Sequence, residues 1–101
     1  MPSFVRVAAA SDLQPGQCKT VEAGGRELAI YNVGGTFYAT DNICLHRGGP
    51  LGEGFLDGSI VTCPWHGWTY DVTTGVCPIS PNVAVKTYPV KVEGVDVHVE
   101  V

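Results

Sequence analysis

The chain has 101 residues, 45% of them hydrophobic, and a formal charge of −4 from 6 Lys plus Arg against 10 Asp plus Glu. That length points to one domain over 1–101, and the apolar content excludes a disordered chain. No basic run exists, which excludes nucleic acid as a partner, and no stretch approaches the length of a membrane span.

Residues 1–10 lack the basic and apolar regions of a signal peptide, so a cytoplasmic location is expected. Thirteen Gly and seven Pro demand many turns. The apolar period is two rather than 3.6. A first strand is expected over 4–8, then a turn at Ser11-Asp12-Leu13-Gln14-Pro15-Gly16. Strands follow over 17–22 and 27–33, joined at Ala23-Gly24-Gly25-Arg26, and Gly34-Gly35 turns the chain into a fourth over 36–39.

From 41 to 54 the alternation stops. Phe55-Leu56 leads to a turn at Asp57-Gly58, and a strand over 59–62 delivers Cys63. Tyr70-Asp71 and Thr74-Gly75-Val76 read as short hairpin pieces, and 77–82, with Pro78 and Pro81, as a rigid loop. The clearest signal is at the end: a strand over 84–92, a turn at Glu93-Gly94-Val95-Asp96, and a strand over 97–101. No three-turn helix is expected. The fold class is all-β, an antiparallel barrel or sandwich with a loop-rich insertion over about 41–82.

Inside that insertion stand Cys44-Leu45-His46 and, sixteen residues later, Cys63-Pro64-Trp65-His66. Two thiolates and two imidazoles form the ligand set of a [2Fe-2S] centre with both histidines on one iron. Two ferric ions, two sulfides and two thiolates sum to zero charge, so an added electron is accepted more easily than with four thiolates. Gly48, Gly49 and Gly67 let the backbone pass close to a bulky group, with N–H groups available to its sulfides. Tetrahedral zinc is the competing reading, although zinc more often takes Cys-x₂₋₄-Cys knuckles. Cys18 and Cys77 read as packing thiols, with a disulfide between them left open. His98, between two valines on the last strand, reads as a solvated surface residue.

On these residues the chain resembles the Rieske iron–sulfur family over essentially its whole length. The likeness is strongest in Cys44-Leu45-His46-Arg47-Gly48-Gly49 and Cys63-Pro64-Trp65-His66-Gly67-Trp68. The resemblance implies a single Rieske domain holding one [2Fe-2S] cluster, with no catalytic residue. Cys44 and Cys63 would hold the buried iron and His46 and His66 the exposed one. A proline-containing loop at 78–81 would cover the cluster, with Trp65 and Trp68 as further shields. High-potential members carry a second pair of cysteines where this chain has Gly49 and Trp65, and a sulfide-bonding serine where it has Trp68; Tyr70 is kept. A low potential is therefore expected.

A stand-alone oxygenase is excluded. Beyond His46 and His66 only His98 is left, too few for a second iron held by two histidines and a carboxylate. The resemblance implies a monomeric electron carrier between a flavin-dependent NAD(P)H ferredoxin reductase and a terminal oxygenase, with the electron leaving by the surface around His46 and His66. Two alternatives stand beside it: a small subunit of an assimilatory nitrite reductase, and a non-catalytic redox-sensing interaction module.

Overall fold

In this computed structural model the described residues are 4–43, 49–65 and 67–100. They form twelve strands and two single-turn 3-10 segments, Ala10–Asp12 and Leu51–Glu53. The strands are β1 (Phe4–Ala9), β2 (Cys18–Ala23), β3 (Arg26–Val33), β4 (Thr36–Asp41), β5 (Phe55–Asp57), β6 (Ile60–Thr62), β7 (Thr69–Asp71), β8 (Val76–Cys77), β9 (Ser80–Ala84), β10 (Thr87–Tyr88), β11 (Val90–Glu93) and β12 (Asp96–Glu100).

They pair into four antiparallel sheets, ordered β1-β12-β11, β10-β4-β3-β2, β5-β6-β7 and β8-β9. No helix among the described residues is long and apolar enough to cross a membrane.

Strand β3 is the partition of the molecule. Side chains of a strand alternate between faces, so a strand covered on both sides reads as a continuous apolar run. Leu28-Ala29-Ile30-Tyr31 is such a run, and all four are fully buried. Leu28 and Ile30 join one core with Ala8, Leu13, Val21 and Val99. Ala29 and Tyr31 join the other, with Leu51, Val61, Cys63, Tyr70 and Cys77. The first core belongs to the two larger sheets, called the base below. The second lies under the segment that carries Cys63.

The expected all-β class holds, but a barrel does not: the strands form a sandwich of four sheets, and no sheet among the described residues closes on itself. The reason lies at Pro89. The expected single strand over 84–92 is broken there. Thr87 and Tyr88 pair with Thr40 and Ala39 of β4, whereas Val90 onward pairs with β12. Proline has no N–H to continue a ladder, so the segment passes from one sheet to the other. At the other edge β1 packs against β2, and no ladder joins them.

A second correction concerns 77–82. The expected rigid loop is a tight hairpin in which Cys77 faces Ser80 across a turn of Pro78 and Ile79, and Pro81 lies inside β9. Pro81 is tolerated because β8-β9 is a two-stranded sheet, where every strand is an edge, and its register slips between Val76 and Cys77. His98 is half-buried rather than fully solvated; its neighbours Val97 and Val99 are fully buried.

Candidate metal centre

The second of the two expected ligand segments is set on a hairpin of β6 and β7. Strands β6 and β7 pair as far as Thr62 opposite Thr69. The N–H of Cys63 then donates to the carbonyl of Trp68 at 2.7 Å and closes the loop. Gly67 takes a φ of +74°, and a side chain's Cβ would meet nothing there. The glycine is needed for the turn itself.

Cys63 is only 2% exposed. Its Sγ accepts the backbone N–H of Trp65 at 3.4 Å, a bond that stabilises negative charge on sulfur. Beneath it Val61 and Tyr70 face each other across the ladder, both fully buried. Trp68 packs against the same core, while Trp65 is 49% exposed.

The first expected ligand segment leaves and rejoins the described fold at one point. Ile43 and Pro50 form an isolated antiparallel bridge, and the N–H of Leu51 donates to the carbonyl of Asn42 at 2.7 Å. Gly49 then packs directly on the second loop. A Cβ on Gly49 would lie 2.7 Å from Cys63 Sγ and 2.9 Å from Trp65 Cγ. The two positions where high-potential relatives carry extra cysteines are thus in contact here, filled by a bare backbone and an indole.

Of the four expected ligands, Cys63 is described, and Cys44, His46 and His66 lie outside the described residues. Among the described residues no three His, Cys, Asp or Glu side chains converge as a metal site. Cys18 and Cys77 do not form a disulfide. The Cys18 thiol points at the carbonyl of Gly54 at 3.4 Å, and burial holds its pKa above the ordinary thiol value. Cys77 is fully buried in the core below Cys63.

The sequence matches the Rieske [2Fe-2S] domain over residues 3–89. The chain belongs to the Rieske family. It is 40% identical over 100 residues to the ferredoxin component of the naphthalene 1,2-dioxygenase system of Pseudomonas putida, covering 96% of this chain and 94% of that protein. Among solved structures it is similar to a chain of the complex of reduced oxygenase and oxidized ferredoxin in carbazole 1,9a-dioxygenase, with a TM-score of 0.85, 40% identity, and coverage of 95% of this chain and 91% of that one. It is also similar to the Sphingomonas yanoikuyae B1 ferredoxin, with a TM-score of 0.87, 33% identity, and coverage of 98% and 99%.

The protein is therefore a Rieske-type [2Fe-2S] ferredoxin, an electron-transfer protein and not itself an enzyme. The surroundings of Cys63 fit such a cluster. The sulfur is enclosed, a backbone N–H is aimed at it, and Gly49 leaves room beside it that a Cβ would fill.

One group of residues at the site escaped the sequence reading. Asn42 is fully buried at the root of the first ligand segment and is bonded to Thr20, Glu27 and Gly52. Its only trace in the sequence is a polar pair, Asp41-Asn42, where β4 ends, and that pair reads equally well as a turn.

Proposed function

We propose that this protein takes one electron at a time from a flavin-dependent NAD(P)H ferredoxin reductase. It serves as the one-electron carrier to a terminal Rieske-type oxygenase, as a cytoplasmic monomer folded as one Rieske domain over 1–101. Cys44 and Cys63 would hold the inner iron, His46 and His66 the outer. When bound, the [2Fe-2S] cluster supplies a reversible one-electron couple.

The observation that carries the reading is the packing at Cys63. Its sulfur is shut away from water by Gly49 and by the core beneath it, while Trp65 beside it stays half exposed. The sulfur side is thus insulated, and exchange is left to the histidine side. The Trp65 N–H offsets charge on the Cys63 sulfur. Apolar side chains stand exposed on the segments around this end, Ile43, Trp65 and Ile79 among them. A small apolar rim suits a transient redox contact.

Three measurements test this. Purified protein should contain two irons and two acid-labile sulfides, and His46→Ala or His66→Ala should abolish the centre; one zinc per chain from iron-replete anaerobic expression overturns the ligand assignment. The midpoint potential should fall near the low end of the Rieske range, roughly −150 mV. A value above about +100 mV would be incompatible with this partner class. For the docking face, Pro81→Glu should slow exchange with reductase or oxygenase and leave the visible spectrum intact. Val95→Lys, in the exposed β11–β12 turn, should not.

A further inference from the structure

Five hydrogen bonds meet on Asn42 at the root of the first expected ligand segment. Its side-chain oxygen accepts the N–H of Gly52 at 2.8 Å and the hydroxyl of Thr20 at 3.1 Å. Its side-chain nitrogen donates to the Glu27 carboxylate at 3.1 Å. Its carbonyl accepts the N–H of Leu51 at 2.7 Å, and its own N–H donates to the carbonyl of Glu27 at 3.4 Å. One buried residue therefore ties β2, β3 and the 3-10 turn Leu51–Glu53 to the exit of β4. The fit is close: a Cβ on Gly52 would lie 2.4 Å from Thr20 Oγ1 and 2.5 Å from its backbone nitrogen.

The chain leaves this knot at Ile43 and returns to it at Pro50, and the residues between include Cys44 and His46. Asn42 thus fixes both ends of the segment at once. We propose that Asn42 is a positioning residue for the cluster, holding the ends of the 43–50 segment so that its ligands meet those of the 63–68 loop without a covalent link between the loops. This rests on the reading of Cys44 and His46 as ligands.

A buried asparagine elsewhere provides the control. Asn32 is 4% exposed, donates to the carbonyl of Leu13 at 2.8 Å and accepts the N–H of Gly35 at 2.7 Å. It fastens the turn between β3 and β4, at the opposite end of β3 from Glu27. Its loss removes comparable bonds from the same sheet and leaves the ligand segments untouched.

The test uses holoprotein and follows bleaching of the visible spectrum in excess iron chelator, each variant held equally far below its own Tm. Asn42→Asp keeps the accepting oxygen but sets two carboxylates against each other at Glu27. It should release the cluster about tenfold faster or more, the scale seen when a ligand's support is lost, with a shifted midpoint potential and broadened EPR lines. Adding Glu27→Gln should restore the native rate, since an amide can donate to Asp. Thr20→Val, which removes one bond at nearly constant volume, should accelerate release by a smaller factor, and Asn32→Leu should lower Tm without changing the rate.

Equal release from the Asn42 and Asn32 variants, or native release from both Asn42→Asp and Thr20→Val, overturns the proposal. His46→Ala separates it from its premise. If that variant keeps an unaltered two-iron centre, the ligand reading fails. If it loses the centre while the Asn42 variants release normally, only the positioning role fails.

Discussion

In the base, Gly25, Gly34, Gly35 and Gly94 take φ values of +79°, +59°, +99° and +60°, and a Cβ on any of them would meet nothing within 4 Å. Beside the cluster end, Gly49, Gly52 and Gly54 need no left-handed backbone. A Cβ there would come within 2.7 Å of Cys63 Sγ, 2.4 Å of Thr20 Oγ1 and 2.2 Å of the Thr62 carbonyl respectively. The first set is required by the bend of its own chain. The second is required by a segment distant in sequence that passes too close for a side chain. A substitution in the base thus disturbs one turn, whereas one at the cluster end forces apart two segments, and at Gly49 one of them carries Cys63.

The sharpest break of this comparison pairs Gly49→Ala with Gly34→Ala. The first places a methyl against Cys63 Sγ, and the protein should purify without iron, sulfide or visible absorption. The second should keep a full cluster and cost about 1 kcal/mol, the penalty for an L residue in a left-handed turn. An intact cluster in Gly49→Ala would show that the loops yield where the base does not.

Removing mass from the base core should act on stability alone. Val99→Ala on β12, fully buried, should cost about 2 kcal/mol in urea unfolding, with EPR and midpoint potential unchanged. A shifted potential would mean that the two cores are not independent across β3.

A smaller effect tests the partition strand itself. Tyr31 is fully buried with its hydroxyl 2.9 Å from Thr40 Oγ1, and burial holds its phenol well above the ordinary value of 10.0. The folded form then keeps its proton where the unfolded form has lost it. Stability from this group is complete below the unfolded pKa and declines as pH rises through it. The loss of Tm between about pH 9 and about pH 11 should be less steep in Tyr31→Phe than in the native protein.

Least of all should follow from the ion pair of Arg6 and Asp96, 2.8 Å apart with both side chains substantially exposed. Solvent screens such a pair, and Arg6→Ala should leave Tm and potential within error.

Much of this was legible in the residues. The period-two runs located nearly every strand of the base, because those strands follow from local alternation and from glycine turns such as Gly34-Gly35. The spacing of Cys and His, with the family resemblance, pointed to the cofactor, because the chemistry of a ligand is carried by the residue itself. The continuous apolar run of β3 held a further clue, since a strand covered on both faces is written that way, although a short buried helix shares the pattern.

Tertiary structure decided what depends on partners far along the chain. Alternation shows which face of a strand is apolar but not which edge it meets, so nothing over 84–92 revealed that Pro89 sends one segment into two sheets and leaves no barrel. Pro81 became a strand residue because its sheet has only edges. Gly49 was expected to let the backbone pass close to a bulky group, but that Cys63 packs against it and Thr20 against Gly52 was set only by the fold. Asn42, an ordinary turn former in the sequence, became a buried knot at the exit of β4 only when Thr20, Glu27 and Gly52 closed around it. Hydrogen-bond partners and contact distances are properties of the folded chain, and a residue's type sets only what it can offer them.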